Sequence, residues 1–226
     1  MTRPAAFLSA LALLAALLTA ACTRLPKITP PASGNTTAPV GRCEKVFPQG
    51  RWQFVHAIEA TLFGGSSVVL GVSRISSTER RIHSLIMTVE GMVLFEADRG
   101  DDLRIRRAVP PFASENFARG LMDDIAFIFF APRGPAVAGR LQNGAAVCRY
   151  CLDDGGVVDV LPAPADGWEV RQYDAQGRLA RRLQASDVAV IDGQRIPRRL
   201  TLEARPAGGT PYRLKMKLVE ALPIRP

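Results

Sequence analysis

Histidine and aromatic residues are scarce in this chain. Its 226 residues include 2 histidines, His56 and His83, and only 7% are aromatic. A site built from several histidines is therefore excluded, and neither a metal site nor a cofactor is expected. The 47% of hydrophobic residues exclude wholesale disorder, and the length fits a single folded domain.

A long apolar run occurs at the N-terminus. Residues 7–18 follow Arg3 and are too few to span a membrane, so residues 1–21 are predicted to be a secretory signal peptide. The apolar run ends at Leu18, and the small residues Thr19–Ala21 precede Cys22. This arrangement resembles a bacterial lipobox, which implies acylation of Cys22 and cleavage before it. Ordinary cleavage that leaves Cys22 as a spare thiol is the alternative.

Residues 22–45 are rich in proline, glycine and threonine and are predicted to form a flexible tether to a single domain, residues 46–226. Thr23 stands where an aspartate retains many Gram-negative lipoproteins in the inner membrane. By that resemblance, the protein is expected on the periplasmic face of the outer membrane, anchored by its lipid. The net charge of +8 then favours anionic lipid over nucleic acid as a partner. A solvated basic surface is the alternative.

Beyond residue 50, apolar and polar residues alternate in successive runs separated by short turns. The predicted strands are 52–60, 67–72, 82–89, 92–97, 103–107, 145–152, 157–161, 168–173, 188–191, 198–204 and 212–219. Ser114 and the apolar residues from Phe117 to Phe129 predict one helix. The fold class is mainly β (α+β): a highly curved antiparallel sheet, or unclosed barrel, of about ten strands with one main covering helix.

The order of these segments carries a family resemblance. The helix follows Pro110 and Pro111, and Gly167–Val170 leads to Arg195–Leu202. A turn then gives Tyr212–Leu218, in which basic and apolar residues alternate. In this order the chain resembles the LolA/LolB-like superfamily of periplasmic lipoprotein carriers and outer-membrane receptors. The resemblance is closest to the lipid-anchored, receptor-like (LolB-like) members.

The resemblance implies an unclosed barrel whose cavity, covered by helices, takes the acyl chain of a lipid or lipoprotein. The implied partners are the membrane, through the N-terminal lipid, and a periplasmic carrier protein. It also places Ile75, in the polar segment Ser73–Glu79, where receptor-type members carry an apolar residue on a protruding loop. The alternative is that Ile75 ends a strand and packs under the sheet.

Apolar residues of the alternating runs and of the helix are the candidate lining of that cavity. They are Phe54, Ile58, Leu70, Leu85, Met87, Phe95, Phe117, Leu121, Ile125, Phe129, Trp168, Leu214 and Met216. A filled core is the alternative interpretation of these residues.

Two cysteines, Cys148 and Cys151, lie three positions apart within an alternating run. Such positions point to opposite faces of a regular strand, which disfavours a direct bond between them or a redox pair. A zinc site would need further ligands that the chain scarcely offers. A structural disulfide from Cys43 to Cys148 or to Cys151 is therefore expected in an oxidising compartment.

No set of nucleophile, base and acid stands out in the sequence. The adjacent aspartates at 101–102, 123–124 and 153–154 lack the spacing of a calcium loop and are expected to be solvated. The sequence therefore predicts a non-catalytic outer-membrane lipoprotein that binds acyl chains in lipid or lipoprotein trafficking or insertion. The alternative is an accessory structural lipoprotein that docks onto an envelope export or assembly complex.

Overall fold

The computed structural model describes residues 25–30, 41, 43–62, 64–162 and 167–225. The predicted signal peptide and Cys22 lie outside these ranges. So does most of the segment predicted to be a tether.

A membrane-spanning helix is not found within the described ranges, because no helix there is both long enough and apolar enough.

Most of the described chain forms one antiparallel sheet of 13 strands. The strands are β1 (Ile28–Thr29), β2 (Arg51–Leu62), β3 (Gly65–Ser76), β4 (Arg81–Met87), β5 (Val93–Arg99), β6 (Leu103–Ala108), β7 (Ala136–Leu141), β8 (Ala146–Cys151), β9 (Val157–Pro162), β10 (Gly167–Tyr173), β11 (Leu179–Ile191), β12 (Gln194–Ala204) and β13 (Tyr212–Pro223). Their order across the sheet is β1-β7-β8-β9-β10-β11-β12-β13-β2-β3-β4-β5-β6. Two meanders, β2 to β6 and β7 to β13, are thus joined where β13 pairs with β2.

The predicted helix is α1 (Glu115–Phe129), which begins after Ser114. Its buried apolar residues recur at helical spacing and form one stripe along the helix. They are Ala118, Met122, Ile125, Ile128 and Phe129. This stripe packs in the same core cluster as residues from both meanders, so α1 covers one face of the sheet.

The sheet curls around α1. Asp123 lies 2.5 Å from Arg99 of β5, and its neighbour Asp124 lies 2.7 Å from Arg181 of β11. Strands β5 and β11 are six places apart in the sheet order, a separation of about 29 Å if the sheet were flat. A helix with its side chains is only about 10–12 Å wide. The sheet is therefore strongly curved, and among the described residues its edges β1 and β6 do not pair, which confirms the predicted fold class.

The sequence missed two strands, β1 and β7, and most of β11. Strand β7 consists largely of small residues that show little alternation. Gly139 of β7 is needed for the pairing with β1, because a Cβ there would lie 2.1 Å from Cγ2 of Ile28. In β11 the arginines 181 and 182 interrupt the apolar pattern, so only its last residues, 188–191, were predicted.

The segment before β2 is joined covalently to the sheet. Cys43 forms a disulfide with Cys148 of β8, and Val46 and Phe47 are buried beside it. Cys151, three residues further along β8, is exposed and has a free thiol. Cys43, like Ile28, falls in the range 22–45, so parts of that range are packed onto the domain.

We expect the Cys43–Cys148 disulfide to contribute substantially to stability, because it spans 105 residues of chain. Replacing both cysteines by alanine should lower the free energy of unfolding by about 4 kcal/mol, since the unfolded chain regains the entropy of that loop. The measurement is equilibrium unfolding in urea. Cys151→Ala is the control and should leave the midpoint unchanged. Equal midpoints for the double variant and the control would contradict the prediction.

Candidate binding site between the sheet and the helix

A stack of aromatic rings fixes α1 against the concave face of the sheet. The ring of Phe54 lies parallel to that of Trp52 at 5.5 Å and to that of Phe129 at 4.9 Å, measured between centroids. Trp52 donates its indole N–H to the carbonyl of Gln49 at 2.8 Å. The stack therefore couples α1 to β2 at the centre of the candidate site.

Most of the residues predicted to line a cavity lie in this interior. Those that are buried or half-buried in the main core cluster are Phe54, Ile58, Phe95, Leu121, Ile125, Phe129, Trp168, Leu214 and Met216. Phe117, at the start of α1, meets the ring of Phe112 edge-on at 5.3 Å. Core residues that the sequence did not single out include Trp52, Met122, Val160, Val170, Leu183 and Leu202. Alternation was the available signal for Trp52, Val160, Val170 and Leu202, and helical spacing was the signal for Met122.

Three of the predicted lining residues, Leu70, Leu85 and Met87, lie on the opposite face, and their prediction is corrected. Leu70 pairs with Met87, whereas the neighbouring Gly71 pairs with the buried Ile86 of the inner face. Side chains alternate along a strand, so a choice that is wrong by one residue moves a whole set to the other face. Apolar residues occupy both faces of β3 and β4. Alternation alone therefore did not show which of the two faces is the inner one.

Ile75 is also corrected, because it does not lie on a protruding loop. It belongs to β3, where it pairs with Trp52 on one side and with Ile82 on the other. Its side chain is only 3% exposed. The turn follows at residues 77–80, so the polar neighbours of Ile75 belong partly to the strand.

The space between α1 and the sheet is almost filled. A cavity of about 10 Å³ remains there, which is about the room that one water needs. Its lining includes Phe54, His56, Phe129, Trp168 and Leu200. An acyl chain does not fit in a cavity of this size.

Polar contacts hold α1 on both sides of the closed interior. Asp124 is 3% exposed and accepts hydrogen bonds from Arg181, at 2.7 Å, and from the hydroxyl of Tyr212. Arg181 also donates to Gln172 at 3.1 Å. Burial raises the pKa of the Asp124 carboxyl, although the Arg181 charge and the Tyr212 hydroxyl act to lower it. Removal of either ionic partner would leave a charge without compensation in the interior.

The expectation that the aspartates at 123–124 are solvated is therefore wrong for Asp124. Its partner Arg181 lies 57 residues away in the sequence, so no local pattern indicated the contact. Asp123 is half-exposed, but it is paired with Arg99 as well.

His56 is a buried titratable group in the same interior. Its ring lies 6.0 Å from that of Phe129 and 6.1 Å from that of Phe54, between centroids. Burial lowers the pKa of His56 to about 4, so the imidazole is neutral at pH 7. A neutral imidazole leaves the cavity without a positive charge at this wall.

Comparison with solved structures identifies the architecture. A LolA superfamily protein from Nitrosomonas europaea superposes with a TM-score of 0.55 at 14% identity, over 86% of this chain and 95% of that one. A domain from Vibrio parahaemolyticus, assigned to outer membrane lipoprotein sorting, gives a TM-score of 0.52 at 10% identity, over 83% and 91% of the two chains. The chain has the LolA-like fold. No family model and no curated protein matches its sequence.

The LolA-like fold agrees with the superfamily resemblance found in the sequence. At 14% and 10% identity the similarities concern the fold, and they do not single out the receptor-like branch. In this LolA-like fold, α1 with its two aspartates and its aromatic stack occupies the concave face. That face is the candidate site.

Stability should fall on acidification because of His56. Unfolded histidine has a pKa near 6.5 and the folded value is about 4, so the unfolded chain binds the proton more readily between these values. The contribution of neutral His56 to the free energy of unfolding is fully present above pH 6.5. It is lost as the pH falls from 6.5 through 4, and the total loss is about 3 kcal/mol. His56→Leu should remove this part of the pH dependence in urea unfolding. Parallel pH curves for the wild type and the variant would contradict the prediction.

Proposed function

We propose that this protein is a non-catalytic lipoprotein of the bacterial envelope that binds an acyl chain of a lipid or lipoprotein between α1 and the sheet. The proposal rests mainly on one observation, a continuous apolar concave face that is covered by one helix. The LolA-like fold supports the proposal, as does the assignment of the Vibrio parahaemolyticus neighbour to lipoprotein sorting. The proposed location is the periplasmic face of the outer membrane, with Cys22 as the acylated residue.

The proposal requires α1 to move. Because the cavity of the closed form holds about one water, a chain can enter only when α1 separates from part of the sheet. Burial of each methylene of an acyl chain contributes about 0.8 kcal/mol, so a long chain offsets the apolar burial, ion pairs and ring contacts that α1 loses. The contacts of Asp123 and Asp124 add to the cost of opening that the apolar stripe of α1 already sets.

Weakening the Asp124 contact should strengthen the binding of an acyl chain. Asp124→Asn keeps the shape of the side chain but removes its charge, so the open form becomes more populated and the apparent affinity rises about tenfold. The measurement is titration with a fluorescent fatty acid. The protein is the chain from residue 22 with Cys22→Ser, which keeps every described strand and α1 and carries no lipid.

The matched control is Arg213→Gln, which breaks an exposed ion pair with Glu203 on the outer face. Its affinity for the fatty acid should equal that of the unaltered chain. If neither the unaltered chain nor Asp124→Asn binds the probe, acyl-chain binding is refuted.

The filled interior and an apolar outer face favour a second candidate, an accessory lipoprotein that docks onto an envelope complex. On that face, Leu70 pairs with Ala57 and with Met87, and Val72 pairs with Leu85. At the end of this row, Val68 is 56% exposed. An apolar sheet face of this kind is suited to packing against another protein.

Leu70→Glu should abolish such docking, because it places a charge in the middle of the apolar face. The measurement is the elution volume of the full-length protein in a mild detergent extract of its envelope. The unaltered protein should elute with a mass well above that of its own chain, which is 24.4 kDa before the predicted signal peptide is removed, and the variant should not. The control is Val190→Glu, which alters a valine of β11 that is already 74% exposed. Elution of the unaltered protein at its own mass would count against this candidate.

A further inference from the structure

An open groove lies at the ends of strands β2 to β5, away from the interior site. It has a volume of about 460 Å³. Its lining consists of Arg51, Arg74, Ile75, Ser76, Glu79, Arg81, Ile82, His83, Asp98, Arg99, Gly100 and Ile224. The groove thus contains four arginines against two carboxylates.

Most of the charges in the groove compensate one another. Asp98 accepts hydrogen bonds from His83 at 2.9 Å and from Arg106 at 2.5 Å. Glu79 lies 3.6 Å from Arg81. Arg99 is paired with Asp123 of α1, as described above. These pairs leave both carboxylates of the groove already engaged.

Arg51 and Arg74 are different, because neither has a carboxylate partner among the described residues. Arg74 donates to the amide oxygen of Gln53 at 2.7 Å, which leaves its positive charge unbalanced. Both side chains are exposed at the groove. Two guanidinium groups on neighbouring strands form a natural site for a phosphate group, which arginine binds through paired N–H donors.

The surroundings of the groove add to its positive charge. Arg80 lies in the turn after β3 and donates to the carbonyl of Ala131 at 2.9 Å. Burial lowers the pKa of Arg80, and the charges of Arg133 and Arg99 lower it further. Cationic side chains therefore crowd this end of the sheet.

The topology places the incoming N-terminal segment at the same end of the strands. Ile28 pairs with Leu141 at the end of β7. Neighbouring strands of the sheet run in opposite directions. The end of β7 therefore lies at the same end of the sheet as the start of β2 and the end of β3. Cys22 precedes Ile28 by six residues, a reach of about 20 Å. If Cys22 is acylated as proposed, its lipid holds this end of the sheet near the bilayer.

We propose that this groove binds the phosphate group of an anionic lipid headgroup, with Arg51 and Arg74 as its phosphate ligands. The groove would orient the anchored protein with the ends of β2 to β5 towards the bilayer. This role does not depend on whether the interior takes an acyl chain.

The test is co-sedimentation with vesicles of phosphatidylcholine alone or mixed with phosphatidylglycerol. It uses the chain from residue 22 with Cys22→Ser, whose binding cannot come from its own lipid. The double variant Arg51→Gln/Arg74→Gln should bind the mixed vesicles about 25-fold more weakly, since each arginine near an anionic surface contributes about 1 kcal/mol.

The matched control is Arg199→Gln/Lys217→Gln, an exposed cross-strand pair on the outer face that also removes two charges. Its affinity should change less than about threefold. Circular dichroism of both double variants shows whether they remain folded. The proposal is overturned if the unaltered chain does not bind mixed vesicles, or if both double variants lose affinity equally.

A further arm distinguishes a lipid headgroup from free phosphate. Inorganic phosphate is added to the vesicle mixture and compared with chloride at equal ionic strength. Retention of the protein on the vesicles shows that a headgroup in the bilayer is the ligand. Release by phosphate alone shows that the groove binds phosphate from either source, which supports the shared chemistry but not the preference for a headgroup.

Discussion

The seating of α1 in the curled sheet is the contact on which the rest of the structure depends. Two adjacent aspartates reach opposite walls, Asp123 to Arg99 and Asp124 to Arg181. A sheet of 13 antiparallel strands has a wide apolar face to cover, and one helix is enough only when the sheet wraps around it. The polar contacts fix the position of α1, whereas burial of its apolar stripe supplies most of the stabilisation.

This arrangement has a direct consequence for binding. The aromatic stack and the core residues of both meanders fill the concave face almost completely. Burial of Asp124 and Arg181 is costly, which makes the helix contact specific in position rather than strong. His56 is buried in its neutral form beside Phe129, so the stability of the folded protein depends on pH. This LolA-like fold thus combines a nearly filled interior with a helix that polar contacts hold at both sides.

Much of the fold could be predicted from the sequence, because it follows from local periodicity. Alternation of period two located most strands, and helical spacing after Ser114 located α1. The segments that escaped prediction lack this signal. Strand β7 is built of small residues, and the two-residue β1 exists only because Gly139 lets Ile28 approach. Both are consequences of pairing between segments far apart in the chain.

The sequence by itself determined the kinds of element, the curved antiparallel class and the apolar content of the interior. Only the tertiary structure decided which face each apolar residue occupies: Leu70, Leu85 and Met87 lie outside and Ile75 lies inside. It also decided that Asp124 is buried against an arginine 57 residues away. The physical reason is that periodicity reports the conformation of a segment, whereas the choice of face and of partner depends on which distant segments the sheet brings together.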